Sequence, residues 1–217
     1  MDALVIDLIR DVPKGTLLWA TAIVGTSLAE YAGIVAEYQL VFNLRRATAE
    51  REYWRFFSSF FYLGKLKLDL ILQMWVLMQY SRQVEEEAYR GRPRDFWWTL
   101  VLLGSFIVAG VSALMGSESH LLSNYLSQAL IYLWARRNPH LEVSIMGLFT
   151  MRTAYLPWAM ALVNKILRDT SLLSCILGIF AGHLVFFAQD IYPRLHHGRK
   201  IFSPPWEWFE RQDQDHN

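Results

Sequence analysis

The side chains best placed to do chemistry are Ser123, Ser127 and His183. A serine hydroxyl becomes a nucleophile when an imidazole takes its proton and backbone donors wait for the oxyanion. The serines lie in Leu122-Ser123-Asn124-Tyr125-Leu126-Ser127-Gln128-Ala129, a stretch without glycine. Two readings of His183 follow: half of a serine–histidine dyad, or a structurally satisfied histidine. No phosphate-cradling loop, paired-histidine metal motif or haem signature is present. The single Cys175 excludes an internal disulfide framework and a cysteine-ligated zinc site. His196-His197 is a weak metal-like pair, more often a solvated tail. We therefore expect no catalytic residue, no cofactor and no metal.

A second set of residues points to polarity within apolar segments. Lys65, Asp69 and Gln73 are four apart, as are Asn124, Gln128 and Tyr132, and helical spacing puts each set on one face. Glu30, Asn164 and His183 add polar groups on other segments. Ionisable groups in a membrane usually face a bundle interior or a watered cavity. For Asn124, Gln128 and the serines, interhelical hydrogen bonding is the simpler reading. For Lys65, Lys67 and Asp69, near one boundary, a hydrated groove is expected, open on the non-cytosolic side.

The elements that must carry these groups are apolar blocks. Of 217 residues, 53% are hydrophobic and 15% aromatic, which excludes a disordered chain. The net charge of +1 argues against a nucleic-acid partner. The blocks predict an all-α polytopic membrane protein with six spans: 16–35, 66–81, 96–115, 121–135, 154–167 and 172–189. Residues 1–14 read as a short interfacial helix or a frayed terminus, not a secretory signal. Loop one, 37–64, carries Trp54-Arg55-Phe56-Phe57 and Phe60-Phe61-Tyr62 and reads as an element at the lipid–water boundary. Glu85-Glu86-Glu87 reads as a solvated face, residues 140–152 as a connecting strand or loop, and 194–217 as a polar tail. Six crossings put both termini on one side with 13 basic residues against 8, and the positive-inside rule makes that side cytosolic. The block 121–135 reaches only about 22 Å at 1.5 Å per residue, against a hydrocarbon core near 30 Å. Short spans of this kind predict local thinning of the bilayer.

Several motifs, taken in order, carry a resemblance. They are Asp11-Val12-Pro13, Gln39-Leu40-Val41-Phe42-Asn43, Trp54-Arg55, and Glu85-Glu86-x-x-Tyr89-Arg90-Gly91-Arg92 with Asp95-Phe96. Further on come Tyr132-x-Trp134-x-Arg136-Arg137-x-Pro139, Leu156-Pro157-Trp158-Ala159, and Gly178-x-x-x-Gly182-His183 through Asp190-x-x-Pro193. Over residues 11 to 193 the chain resembles the derlins, rhomboid pseudoproteases of the endoplasmic reticulum. Its tail, Ser203-Pro204-Pro205-Trp206-Glu207-Trp208-Phe209, is similar to the fungal degradation-in-the-ER founder branch. The resemblance implies a rhomboid-like bundle of six transmembrane helices over 1–193 in the endoplasmic reticulum membrane. It also implies a non-catalytic component of ER-associated degradation, which moves misfolded luminal or membrane proteins to the cytosol beside a membrane-embedded RING ubiquitin ligase and its adaptors. The tail lacks a short Gly-Pro-type recruiting motif, which implies that the AAA unfoldase is reached through partners. Trp54, Arg55, Gly178, Gly182 and His183 would be fold and gate residues, and Lys65, Asp69, Gln73, Asn124 and Gln128 would line the groove. The alternative is an active rhomboid-type intramembrane serine protease. For that, the resemblance implies a Gly-x-Ser-Gly motif around the serine, which residues 122–129 lack, and this favours a structural His183.

Overall fold

A computed structural model describes residues 12–90, 92–116, 118–145, 149–196 and 201–206. The expected interfacial helix at the start, His197 and the end of the tail lie outside the described residues.

Helix α1 (Lys14–Tyr31) is followed by the three short helices of loop one: α2 (Glu37–Leu40), α3 (Leu44–Ala49) and α4 (Arg55–Ser58). Then come α5 (Leu68–Ala88), α6 (Pro93–Leu114) and α7 (Leu122–Arg137). A β-hairpin, β1 (Glu142–Ile145) with β2 (Phe149–Arg152), occupies the segment expected to be strand or loop, with Glu142 opposite Arg152. A 3₁₀ turn leads into α8 (Leu156–Arg168). Helix α9 (Leu172–Phe186) continues through a π turn (Phe187–Ile191) into α10 (Tyr192–Leu195).

Local chemistry sets the helix ends. Pro93 opens α6 at a position where its missing N–H costs nothing, and Asp95 in the first turn complements the helix dipole. Gly116 follows α6 with φ +63, the left-handed conformation that glycine adopts most cheaply. Arg136 and Arg137 close α7 at its negative end, and Pro139 prevents its continuation. Lys165 and Arg168 do the same for α8.

Helix α7 sits at the centre and packs against α5, α6, α8 and α9. Nearly all its residues are buried, from Leu122 through Ala135, as expected for a helix surrounded on every side. Trp19 and Ile23 of α1, Leu77 and Val84 of α5, Leu103 and Ile107 of α6, and Val185 of α9 complete the core.

The expectation of a six-transmembrane-helix bundle is corrected. Among the described residues, two helices are long and apolar enough to cross a membrane, Pro93–Leu114 and Leu172–Leu195. The physical reason differs for each of the others. Helix α7 has 16 residues and α8 has 13, about 24 and 20 Å at 1.5 Å per residue. Helix α5 is 21 residues long but carries Asp69 near its start and Arg82 with Glu85, Glu86 and Glu87 near its end. In α1, Lys14, Glu30 and a scatter of Thr and Ser dilute the apolar run. The fold is an all-α, multi-helix one with a small hairpin.

Candidate functional site

The serine–histidine dyad is not assembled. Ser123 donates through Oγ to the Tyr62 carbonyl at 2.6 Å, and Ser127 donates to the Ser123 carbonyl at 2.8 Å, one turn back in the same helix. The Nδ1 atom of His183 lies 2.7 Å from the Tyr132 hydroxyl. Both hydroxyls that could attack are thus bonded to backbone oxygens, and the imidazole is held by a phenol. Among the described residues no three His, Cys, Asp or Glu side chains gather as a metal site.

Gly178 and Gly182 bring α9 against α7. A Cβ at Gly178 would stand 2.7 Å from the Tyr125 carbonyl, and one at Gly182 would stand 2.8 Å from the Ala129 carbonyl. Both obstacles are backbone, so neither can move aside as a side chain could. His183, next to Gly182, is exposed on the outer face of α9 yet reaches back to Tyr132.

Loop one is organised around Arg55, which is only 1% exposed. Its Nη1 donates to the carbonyls of Tyr38 and Val41, and its Nε donates to Glu52 at 2.6 Å. One guanidinium thus joins the first and third short helices. Trp54, its neighbour, points outward with Tyr53 and Phe57. The loop is tied to the bundle by Trp19 Nε1 donating to the Phe60 carbonyl and by a bridge between Phe42 and His120.

The polar stripes read from sequence divide. Lys65 precedes α5 and pairs with Glu37 at 3.0 Å, whose carboxylate raises the ammonium's pKa above the usual lysine range. Gln128 is 2% exposed and donates to the Pro157 carbonyl at 2.6 Å, joining α7 to α8. Asp69, Gln73 and Asn124 do come together. They line a cavity of about 320 Å³ bounded by α5, α7, α8 and the start of α9. Its remaining walls are largely apolar, with Trp75, Val76, Met160 and Leu167 among them.

Arg168 is the cavity residue that sequence reasoning missed. Its Nε lies 3.2 Å from Asp69 Oδ2, and its Nη1 lies 3.4 Å from Asn124 Oδ1. Asp69 also accepts from Gln73 at 2.7 Å. Arg168 therefore bridges α5 and α7 from the end of α8. The only sequence signal was a basic residue in the last helical turn, which dipole complementarity already explains. One residue on, Asp169 accepts a hydrogen bond from Lys165, which holds its carboxyl below the usual range.

The opposite end of the bundle carries most of the charged motif residues. Glu85 was expected on a solvated face but is 6% exposed. It accepts from the backbone N–H groups of Gly15 and Thr16 at 3.0 and 2.8 Å, and from the Thr16 hydroxyl at 2.9 Å. Pro13 cannot cap α1 with a side chain, so a carboxylate from α5 satisfies its orphan donors. Glu87 accepts from Trp134 Nε1 and Asn138 Nδ2, both at 2.8 Å, while Glu86 pairs with Arg82. Arg137 donates to Asp190 at 2.8 Å and to the Tyr89 hydroxyl at 3.1 Å. Tyr89, Thr99 and Gln189 close a ring of hydrogen bonds beside it. Four helical segments are joined there by one polar knot.

With this geometry in view, comparison with known proteins places the molecule in a class. The chain belongs to the Der1-like family, which it matches over residues 12–206. It is 33% identical to Derlin-2.2 of Zea mays over 204 residues, covering 90% of this chain and 81% of that protein. It is 32% identical to a probable derlin-2 homolog of Dictyostelium discoideum over 205 residues, covering 91% and 79%. Derlin-1 of Arabidopsis thaliana is 27% identical over 197 residues, covering 91% and 73%. These are plant and amoebal relatives, and they do not single out a fungal branch. In this member of the family the two candidate serines bond backbone oxygens and His183 bonds Tyr132, so no serine–histidine pair is assembled among them.

Proposed function

We propose that this protein is a non-catalytic component of ER-associated degradation, which lowers the barrier for hydrophilic segments of misfolded proteins leaving the endoplasmic reticulum. The observation that carries the reading is the cavity where Asp69, Gln73, Asn124 and Arg168 meet between α5 and α8. A chain crossing hydrocarbon must keep its backbone polar groups bonded. A groove with donors and acceptors on one wall and apolar side chains on the other can hold such a chain part-way. The short helix α8 beside it, with Trp158, Leu162 and Ile166 exposed, favours a thinned bilayer, which shortens the remaining path.

Family membership supports the setting: a multi-pass protein of the endoplasmic reticulum membrane, working with a membrane RING ubiquitin ligase. The arginine-rich end, with Arg92, Arg136, Arg137 and Arg194, faces the cytosol by the positive-inside rule. The groove then opens on the luminal side. Within the family, placement in the fungal founder branch rests on the tail from Ser203 onward.

The test is export of a misfolded luminal substrate. Asp69→Leu and Asn124→Leu together should slow its degradation by a factor of about 5, equivalent to about 1 kcal/mol of barrier. Gln128→Leu should instead lower the amount of folded protein, since that side chain joins two helices. An unchanged substrate half-life, in a double variant that is stably expressed and still assembles, would remove the groove from the mechanism.

A further inference from the structure

At the arginine-rich end a second cavity of about 720 Å³ lies between the end of α5, the start of α6, the end of α7 and the π turn after α9. Its place in the bundle is specific. Both helices able to cross a membrane meet it at their ends, α6 through Asp95 and Trp98 and the α9 segment through Phe186, Asp190 and Arg194. Where two crossing helices end together, the surrounding layer is that of lipid headgroups.

The charges lining it are unevenly matched. Every carboxylate there already has partners: Glu87 with Trp134 and Asn138, Asp190 with Arg137, and Asp95 with Trp206 and Arg92. The cations are not all used. Arg194 has no partner among the described residues, and Arg136 meets only the ring of Phe186, 5.5 Å away. Arg92 is 3.6 Å from Asp95 with its side chain 67% exposed. Arg136, Arg194, Arg92 and His140 are all exposed on the rim. Trp98, Phe186 and Phe202 give the cavity an aromatic part of its wall.

We propose that this cavity binds an anionic phospholipid through its phosphorylated headgroup. Arg136 and Arg194 take the phosphate oxygens, and the aromatic wall receives the glycerol and first methylenes. Basic pockets between membrane helices on the cytosolic side suit such headgroups, and guanidinium forks match phosphate geometry. A neutral zwitterionic lipid brings a quaternary amine that the excess arginines repel. The site rests on the proposed orientation only for which leaflet supplies the lipid.

The experiment is native mass spectrometry of the full chain released from detergent, titrated with dioctanoyl phosphatidylinositol phosphate. Dioctanoyl phosphatidylcholine, the free inositol phosphate headgroup and a glutamate-rich peptide serve as comparison probes. The anionic lipid should bind more tightly than all three. Arg136→Gln with Arg194→Gln should weaken it about 25-fold, about fivefold per arginine near a membrane surface. The charge-keeping pair Arg136→Lys and Arg194→Lys should recover most of that loss, which separates a lost contact from a lost fold. Arg45→Gln with Arg46→Gln on loop one should leave binding unchanged.

Equal binding of the zwitterionic lipid, or no loss in the glutamine pair, overturns the proposal. Headgroup binding as tight as the lipid's assigns the site to a soluble phosphate compound, and tighter binding of the acidic peptide assigns it to a protein. Either result overturns the lipid assignment. Lipid retention is read independently of substrate export, so this site and the luminal groove can fail separately.

Discussion

Glu85 shows how a single side chain can fasten two distant segments. Its carboxylate replaces the cap that α1 lacks, and a Cβ at Gly15 would come within 2.8 Å of Glu85 Oε1. Glu85→Gln sets an amide N–H against backbone N–H groups, and we expect a loss of about 2 kcal/mol in stability. Thermal unfolding in detergent, with fraying of α1 read by hydrogen exchange, measures it. Arg55→Lys should cost a similar amount, because an ammonium cannot hold Glu52 and two carbonyls in one planar fork. Exposure of loop one to limited proteolysis is the readout. These residues were legible as motif members but not in their roles. Three consecutive glutamates look alike in sequence, yet one caps α1, one pairs along its own helix, and one bonds α7. Which face of α5 meets which neighbour decides among them, and that depends on the packing of the whole bundle.

At the scale of elements, the contact of α9 with α7 depends on two missing methyl groups. Gly178→Ala or Gly182→Ala places a Cβ under 3 Å from backbone oxygen, so the helices must separate. Overpacking of this kind costs about 1–3 kcal/mol. Gly110→Ala is the internal control, since its Cβ would meet only Leu177 Cδ2 at an ordinary 3.7 Å. The expected order of melting temperatures is wild type, then Gly110→Ala close behind, then the two α9 variants well below. This feature could be read in advance, because glycines four apart on an apolar helix state their purpose by spacing. The polar stripes could not. Lys65, Asp69 and Gln73 share a helical face only if the helix includes all three, and α5 begins after Lys65. Gln128 and Asn124 share a face of α7, but one meets a neighbouring helix and the other a cavity.

The whole molecule has two differently built ends. One holds the polar knot around Arg137 beside the arginine-lined cavity, and the other holds the smaller groove where Asp69 and Arg168 pair. Two long apolar helices stand beside shorter, more polar ones. A bilayer matched to α6 cannot also match α8, whose 13 residues reach about 20 Å. Cryo-electron microscopy in lipid nanodiscs should show hydrocarbon several ångströms thinner beside α5 and α8 than beside α6 and α9. A uniform thickness would separate the groove from any effect on lipid. Six blocks read as crossings because apolar content alone fixes neither where a helix stops nor where charge falls within it. Helix α7 stops at 16 residues, and α5 carries Arg82 and three glutamates in its last turns.

The π turn at Phe187–Ile191 lets two neighbouring residues, Gln189 and Asp190, both reach the guanidinium of Arg137. A wide turn holds one residue more than a regular one, and such bulges recur at working sites. The spacing along this stretch is therefore a counted quantity. Removing one amino acid from it would turn the bulge into a regular turn and keep the residues beyond it in register, but Gln189 and Asp190 could no longer both face Arg137. Shortening should therefore loosen the knot around Arg137 while leaving the segment beyond it in place.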